Sequence, residues 1–398
     1  MNIYNERNLL NTSEILDLLT WFFDFFGQSK INRFVKKYNK MLEFSKFTYK
    51  EYYLKRHHPW ANAISKIYKN KYTIPQKDYE ILTFLTDIKM LKTINPIIPY
   101  SIQNKYKSDL LDFEHASNYL FEIKVAWQFY KSEFGIVWYE EQNKPEYQIR
   151  KDKKLFDVEC KRISVDAKRS IKRQPFYRFI DFLSPELVKK KLTGRIEFTF
   201  KKKVNSNDKY LKDLSKKIIR ELCKNRSGTF ENEDCIIKHN LNTRQNIIID
   251  LETAYSNYLN SLPPWSLGVL IASYYNGYPI DPLHITVNSI QPDHYLSSVY
   301  NTLKTSIKEQ LSSEKPSLLA CFIPEISDFS VLQEDSAICN MTKKLFLDQD
   351  NKNLIGIIYL SDVQYYPSTL LTKTQYPALK LYNNNFEDKE LITIIDSI

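Results

Sequence analysis

The sequence predicts an α/β fold in which strands alternate with helices around a central sheet. Apolar runs of strand length recur in the second half of the chain, separated by segments with the residue spacing of amphipathic helices. Ahead of them, the segment from Ala116 to Ile163 has the pattern of one helix followed by three strands. At 398 residues and 43% hydrophobic residues, the chain has enough apolar material for two or three packed domains. We therefore expect a sheet covered by helices on both faces.

The first hundred residues are predicted to form a mostly helical N-terminal domain. A helix is expected to begin near Asn11 and to stop at Gly27, because apolar side chains lie at helical spacing between them. Helical patterning continues as far as the proline-containing segment 93–100, which has the composition of a linker. The predicted domains are therefore residues 1–100 and residues 101–398.

Three predicted strands follow a predicted amphipathic helix that runs from Phe113 to Tyr130. The helix carries a polar stripe that includes Glu114, Asn118 and Glu122. The strands are GIVWYE, PEYQI and LFDVECKRI, and the turn RKDKK joins the last two into a hairpin. Later apolar runs are predicted to be further strands, and these are RIEFTF, NIIID, SLGVLIASY, PSLLACFIP and LIGIIYLSD.

The positive charge of the chain is concentrated in one segment. Residues 150–226 contain 25 Lys and Arg against 10 Asp and Glu, whereas the net charge of the whole chain is +10. Localised basic charge is the expected footprint of a polyanionic partner such as nucleic acid. The alternative is a solvated, lysine-rich surface without a partner.

Several classes of protein are disfavoured by the sequence. The five cysteines are odd in number and never form CxxC, which argues against a disulfide framework and a structural zinc site and favours a reducing, cytoplasmic location. Neither a targeting signal nor a membrane span is expected, because the most apolar N-terminal stretch is short and interrupted by aspartates. The phosphate loop GxxxxGK[ST], the dinucleotide fingerprint GxGxxG and the GxSxG nucleophile elbow are absent from the sequence.

The hairpin places charged residues where a strand is normally apolar. Side chains alternate along a strand, so Glu159 and Lys161 point to one face while Phe156 and Val158 point to the other. Glu146, on the preceding strand, can lie opposite that charged face. Two carboxylates beside a lysine suit Mg²⁺, which binds through one or two carboxylates and keeps water and phosphate oxygens as its other ligands. Such an arrangement favours metal-assisted phosphodiester hydrolysis. The alternative is that the two glutamates pair with Arg150, Lys154 or Lys161 on an exposed sheet face.

These motifs together resemble the PD-(D/E)xK nuclease superfamily, whose members have the restriction-endonuclease-like fold. An acid-x-lysine tripeptide alone is a weak pattern, because Asp87-Ile88-Lys89 also fits it. The resemblance covers residues 113–163. Its matching pieces are Glu122 in FEIKVAWQFY, Pro145-Glu146 in KPEYQI, and Glu159-Cys160-Lys161 in VECKRI.

The resemblance implies a mixed central sheet flanked by helices and a divalent-metal site. Residues 299–360 would supply the rest of this core, with a lysine-rich elaboration at about 165–260. The implied roles are Glu146 and Glu159 as ligands of Mg²⁺ or Mn²⁺, the Cys160 carbonyl as a further ligand, Lys161 as the catalytic lysine, and Glu122 as an auxiliary ligand or base. Glu114 competes with Glu122 for the helix position. The sequence departs from the family at Glu146, where Asp is more common.

The leading functional hypothesis is a metal-dependent nuclease that acts on double-stranded DNA, and family habit alone suggests restriction or antiviral defence. Basic residues just after the acidic pair are the predicted phosphate contacts, namely Arg162, Lys168, Arg169, Lys172 and Arg173. One alternative is a non-catalytic module that binds nucleic acid or protein, and another is an RNA-directed nuclease. A homodimer, and a protein partner bound through the N-terminal domain, are further options that the sequence leaves open.

Overall fold

The structure is mixed α/β, as the sequence predicts. The computed structural model of the chain describes residues 6–7, 12–45, 49–70, 78–139, 144–164, 166, 169–250, 254, 267–276, 278–291, 294–311, 314–324, 337–361, 364–367, 372–375 and 378–397. Among the helices of these ranges, none combines the length and the apolar character that crossing a bilayer requires.

Helices occupy much of the first third of the chain and alternate with strands after it. The α-helices are α1 (Thr12–Phe26), α2 (Gln28–Phe44), α3 (Lys55–His57), α4 (Ala61–Lys69), α5 (Tyr79–Ile94), α6 (Tyr100–Asp109), α7 (Ala116–Lys131), α8 (Arg173–Lys189), α9 (Asp208–Lys224), α10 (Tyr295–Gln310), α11 (Ala337–Phe346) and α12 (Lys389–Asp396). A π-helical segment lies at Tyr49–Leu54, and 3-10 turns lie at Asn95–Ile97 and Gln349–Asn351. The predicted start of α1 at Asn11 lies outside the described residues, and its predicted stop is confirmed because Gly27 follows the helix with a φ of 84°.

The strands form three sheets. They are β1 (Glu6–Arg7), β2 (Gly135–Trp138), β3 (Tyr147–Lys151), β4 (Lys154–Arg162), β5 (Leu192–Phe200), β6 (Ser227–Glu231), β7 (Cys235–Thr243), β8 (Leu267–Tyr275), β9 (Tyr278–Ser289), β10 (Ser317–Phe322), β11 (Leu354–Leu360), β12 (Gln364–Pro367), β13 (Thr372–Gln375) and β14 (Ala378–Tyr382). A small antiparallel sheet has the order β1-β13-β12, and the other two sheets are larger and mixed.

The chain divides into two compact units. The first consists of residues 1–41, 57–167 and 295–398, and the second of residues 42–56 and 168–294. The predicted elaboration at about 165–260 therefore falls within a unit that has a sheet of its own.

The first unit is built on a six-stranded sheet of order β14-β11-β10-β4-β3-β2. Strands β2, β3 and β4 form an antiparallel meander, and β10 then pairs parallel to β4. Strand β11 continues the parallel pairing on the far side of β10, and β14 closes that edge antiparallel. Parallel neighbours need crossover connections, and helices α10 and α11 lie in the chain between these strands. Strand β4 is therefore central, and its residues 156–160 are buried on both faces.

The N-terminal helices belong to this same unit, so the predicted boundary at residue 100 does not coincide with the division of the structure. Helix α5 packs against α7, and a buried Asp87 in α5 pairs with Lys124 in α7 at 3.0 Å. The predicted linker contributes to the core, because Ile94 and Ile98 are buried. Apolar side chains buried between α5 and α7 thus hold together two segments that the proline-containing residues 93–100 were predicted to separate.

A buried histidine in these helices makes the stability of this unit sensitive to acid. His58 accepts hydrogen bonds at Nδ1 from the N–H groups of Trp60 and Ala61, at 3.0 and 3.1 Å, and its Nε2 donates to the Leu110 carbonyl at 3.1 Å. This pattern requires the neutral ring, and burial lowers the pKa of His58 from 6.5 to about 3.

The expected result is a loss of stability as the pH falls below 6.5, because the unfolded chain then binds a proton that folded His58 does not bind. Between pH 6.5 and pH 5 the loss should be about 2 kcal/mol from this group. Urea unfolding of the wild type and His58→Gln at several pH values measures it. The variant should lack this component of the pH dependence, whereas the adjacent His57→Gln should keep it.

The second unit has helices α8 and α9 packed on a mixed sheet of order β6-β7-β5-β9-β8. Phe179 of α8 meets Phe198 of β5 edge to face, with ring centroids 5.3 Å apart. The π-helical segment joins this unit because the Tyr49 N–H donates to Asp181 Oδ2 of α8 at 3.0 Å. The predicted strand RIEFTF lies within β5, whereas NIIID is wrong as a buried strand: Ile247 and Ile248 are exposed, and only an isolated bridge forms there.

Candidate active site

The start of the β3–β4 hairpin brings two glutamates close together. Tyr147, the first residue of β3, pairs with Val158, and Glu146 immediately precedes it. The Cys160 N–H, next to Glu159, donates to Glu146 Oε2 at 3.0 Å, and the Tyr139 N–H donates to the Glu146 carbonyl at 3.1 Å. Like charges on neighbouring strands are destabilising, so the negative charge of this pair must be offset by a proton or a cation.

Glu159 is the most enclosed member of the site. Its side chain is 0% exposed, and within the described ranges neither carboxylate oxygen receives a hydrogen bond. The ammonium of Lys161 lies against its Oε1 as an ion pair. Burial, followed by the proximity of Glu146, raises the pKa of Glu159 to about 10, although Lys161 opposes this rise. A carboxylate in this setting binds a proton or a cation strongly.

Lys161 is half-buried beside these carboxylates. Burial disfavours its charged form, but the negative charges of Glu159 and Glu146 outweigh that effect and raise the pKa of Lys161. The lysine is therefore held as an ammonium ion at the end of β4, next to both carboxylates.

The backbone around Cys160 is arranged by Glu146 and Pro145. The Cys160 N–H donates to Glu146 Oε2 at 3.0 Å. Pro145 lies two residues before Tyr147, where the ladder with β4 begins, and a proline has no N–H with which to extend that ladder towards the Cys160 carbonyl. The proline thus removes the donor that a sheet would normally supply to that carbonyl.

Glu122 reaches the same region from helix α7. Tyr106 Oη donates to Glu122 Oε2 at 3.4 Å, and a cleft of about 280 Å³ is lined by Glu122 and Glu146 together with Lys105 and Trp138. Burial and then the neighbouring Glu146 raise the pKa of Glu122 well above its ordinary value. Glu122, Glu146 and Glu159 are therefore electrostatically linked through Glu146.

Glu114, the competing helix carboxylate, lies elsewhere. Its side chain is 76% exposed and its Oε1 is 3.7 Å from His57 Nε2. Glu114 therefore lies on the surface, whereas Glu122 lines the cleft with Glu146. The geometry therefore favours Glu122 for the helix position.

The exposed-face alternative is wrong for Glu159. Lys154, one of the cations expected to pair with it, instead pairs with Asp388 at 2.7 Å and Glu390 at 2.9 Å. The cause is that helices α7 and α10 pack against β4 and that residues 156–160 of this strand are buried on both faces, so the face that carries Glu159 is covered. Of the predicted partners, Lys161 does pair with Glu159.

The donor set fits a divalent cation held by two carboxylates. Within the described part of the chain, no group of three or more His, Cys, Asp or Glu side chains has the arrangement of a metal site. Mg²⁺ does not need such a group, because it binds through one or two carboxylates and keeps several waters. Glu146 and Glu159 supply the carboxylates, and the observation that favours a cation there is the buried Oε2 of Glu159, which has no hydrogen-bond donor within the described ranges.

The residues predicted to contact phosphate differ in how exposed they are. Arg162 lies over the Phe322 ring, with its guanidinium carbon 5.8 Å from the ring centroid, and Lys168 lies outside the described residues. Arg169 is buried, at 6% exposure, so it is wrong as a surface contact for phosphate. Lys172 is exposed and Arg173 is partly exposed.

Two further side chains at the site belong to no motif that the sequence analysis could identify. Tyr106 precedes α7 by ten residues and reaches Glu122, and Tyr139 Oη donates to Asp157 Oδ1 at 2.9 Å. Asp157 is itself buried and also accepts a hydrogen bond from Gln148 Nε2 at 3.3 Å. Tertiary packing brings these groups together, so residue spacing could not have found them.

Comparison with known proteins adds no relative: no protein-family model, no curated protein and no solved structure matches the chain.

Proposed function

We propose that the chain is a metal-dependent nuclease of the PD-(D/E)xK class that hydrolyses phosphodiester bonds in double-stranded DNA. The observation that carries this proposal is the closeness of two glutamates beside the Lys161 ammonium. One of them, Glu159, is fully buried and needs a cation or a proton to offset its charge, and the other is Glu146. The order of the elements along the chain supports it as well. Helix α7 precedes strands β2, β3 and β4, and the later run α10-β10-α11-β11 supplies further strands of the same sheet, as the resemblance implies.

Each side chain has a chemical task in the proposed reaction. Glu146 and Glu159 would hold the metal, with the Cys160 carbonyl as a further ligand; the Cys160 N–H donates to Glu146 Oε2 beside them. When bound, Mg²⁺ would supply an activated water and stabilise charge on the phosphate. The Lys161 ammonium would orient the attacking water and offset negative charge that develops at phosphorus. Glu122, whose pKa is raised by burial and by the neighbouring Glu146, would act as the general acid or base.

Cleavage of a supercoiled plasmid tests the proposal. The wild-type protein should nick or linearise plasmid DNA in Mg²⁺ or Mn²⁺ and should be inactive in EDTA. A folded protein that leaves the plasmid intact across both metals would contradict the proposal. Parallel reactions with duplex RNA and single-stranded RNA decide whether the substrate is RNA instead.

A non-catalytic binding module is the second candidate, and one observation favours it. The Glu159–Lys161 ion pair already provides a counter-charge to the buried carboxylate, so the fold has a cation at Glu159 without a metal. In a binding module, Mg²⁺ would have no measurable affinity for the glutamate pair. Metal titration therefore separates the two candidates.

Glu122 and Glu114 form a matched pair for testing the helix carboxylate. Glu122→Gln should lower the cleavage rate by about 100-fold, because a general acid or base contributes roughly 10²–10⁴ to the rate. Glu114 is close to Glu122 in the sequence but is exposed, so Glu114→Gln should cleave DNA at a rate within about twofold of the wild-type rate. Single-turnover cleavage rates measure both. Equal rates for the two variants would remove Glu122 from the mechanism.

A further inference from the structure

The two compact units differ sharply in charge. The second unit, residues 42–56 and 168–294, contains 25 Lys and Arg against 15 Asp and Glu. The first unit contains 32 of each. The whole net charge of +10 therefore belongs to the second unit, whereas the candidate active site lies in the neutral first unit.

Much of this charge is displayed on one face of helix α9. The opposite face is buried through Leu211, Leu214, Ile218 and Leu222. The exposed face carries a row of cations that we call the basic stripe. Its members are Lys209, Lys212, Lys216, Lys217 and Arg220.

The stripe has the geometry of one continuous surface. At 100° per residue, its members fall within an arc of about 140° around the helix. From Lys209 to Arg220 they extend about 16 Å along the axis. One strand of DNA carries a phosphate every ~3.4 Å along the duplex axis, so this length faces about five phosphates.

Neighbouring side chains do not neutralise the stripe. In the part of the chain that the structure describes, the ammonium and guanidinium groups of Lys212, Lys216 and Arg220 have no ion pair. On the same helix, Asp208 is occupied by Arg178, whereas the exposed Asp213 lies within the arc of the stripe and offsets one of its five positive charges. Cations four residues apart on a helix repel each other, so the stripe weakens the helix that carries it. A polyanion would relieve that repulsion.

We propose that the basic stripe of α9 docks the phosphate backbone of double-stranded DNA. The inference rests on the proposed function for its choice of DNA, and it adds a binding surface that is separate in sequence from the acidic site. Single-strand binding relies on exposed aromatic side chains on which bases stack, and the exposed residues in the arc of the stripe are Lys, Arg and Asp213, with no aromatic residue among them. The major groove of B-form DNA is wide enough to admit an α-helix, whereas the major groove of duplex RNA is too narrow and deep. A helix such as α9 is therefore better suited to duplex DNA.

The stripe also predicts how binding depends on sequence and salt. Lysine contacts to phosphate carry no base information, so affinity should vary little with DNA sequence. Each phosphate neutralised contributes about 0.9 to the slope of the logarithm of the binding constant against the logarithm of salt concentration. Three lost contacts should therefore reduce the slope by about 2.7.

Fluorescence anisotropy of the full chain with a labelled DNA duplex tests the proposal. EDTA prevents cleavage during the measurement. The stripe variant is Lys212→Gln, Lys216→Gln and Arg220→Gln combined. The matched control removes three exposed lysines from helices of the first unit, as Lys304→Gln, Lys308→Gln and Lys344→Gln combined. Thermal melting of each variant confirms that it is folded.

At about 0.1 M salt the stripe variant should bind duplex DNA about 100-fold more weakly than the wild type, with a reduced salt slope. The control variant should stay within about threefold of the wild type. Equal weakening in the two variants, or an unchanged slope in the stripe variant, overturns the proposal. Tighter binding of single-stranded DNA or duplex RNA than of duplex DNA overturns it as well.

The same proteins separate this inference from the proposed function. If the stripe variant loses duplex binding and the wild type never cleaves DNA in Mg²⁺, the docking surface is supported and the nuclease proposal is rejected. If the wild type cleaves DNA in a metal-dependent way and the stripe variant binds duplex DNA as well as the wild type does, the nuclease proposal is supported and the docking surface is rejected.

Discussion

Glu159→Gln should abolish metal-dependent cleavage while leaving the protein at least as stable as the wild type. Glutamine keeps the shape of the side chain but cannot supply the negative charge that a divalent cation requires. The expected fall in cleavage rate is about 10³-fold or more, equivalent to about 4 kcal/mol of transition-state stabilisation. Single-turnover cleavage in Mg²⁺ measures it, with the exposed Glu114→Gln as the control that should stay active.

The stability of the same variant has a defined dependence on pH. The folded-state pKa of Glu159 is raised to about 10 from an ordinary value of 4.5, so the metal-free folded protein retains a proton that the unfolded chain releases. Stability contributed by this proton is present below pH 4.5 and is lost as the pH rises towards 10. Glu159→Gln removes that loss, so in EDTA its advantage over the wild type should grow from pH 5 to pH 9. A variant that melts well below the wild type at pH 9 would contradict this account of the site.

Lys161→Met should impair both cleavage and folding. The ammonium of Lys161 is the cation that lies against buried Glu159, and methionine fills similar space without charge. Removing one partner of a buried ion pair costs about 3–5 kcal/mol when the other charge is left uncompensated, and protonation of Glu159 should reduce this to about 2–3 kcal/mol. The cleavage rate should fall by about 10²–10³-fold, as when one electrostatic stabiliser is lost. Urea unfolding in EDTA and single-turnover cleavage measure the two effects.

A lysine on the same strand provides the control for Lys161. Lys154 pairs with Asp388 and Glu390 at the other end of β4, and its side chain is 29% exposed. Lys154→Met should leave both the stability and the cleavage rate close to those of the wild type, because solvent-exposed ion pairs contribute little. In the double variant Glu159→Gln/Lys161→Met, the stability lost in Lys161→Met should largely return. A Lys161→Met protein with wild-type stability and activity would exclude the proposed role of this lysine.

The sequence was sufficient to predict the local elements around the site. The spacing of Ala116, Leu120, Ile123 and Trp127 predicted helix α7, and the alternation in LFDVECKRI predicted β4 with Phe156, Val158 and Cys160 buried. Patterns of this kind survive because each element must bury one face. The hairpin that brings Glu146 close to Glu159 followed from the short turn between β3 and β4.

The sequence could not show how distant segments combine. Burial of Glu159 depends on β10, which lies about 160 residues further along the chain and pairs parallel to β4. The union of the N-terminal helices with the sheet depends on contacts such as Asp87 with Lys124. Arg169 looked like a surface cation because its neighbours are basic, yet it is buried, and the exposed cations are those of α9. Periodicity describes which face of an element is apolar, but not which other element covers it.

Calorimetric titration of Mn²⁺ into the metal-free protein tests the central claim most directly, namely that Glu146 and Glu159 together hold a divalent cation. The account predicts saturable binding to the wild-type protein. It also predicts no detectable binding to the folded Glu146→Gln/Glu159→Gln variant. Equal binding by both proteins, or no binding by the folded wild type, would contradict it.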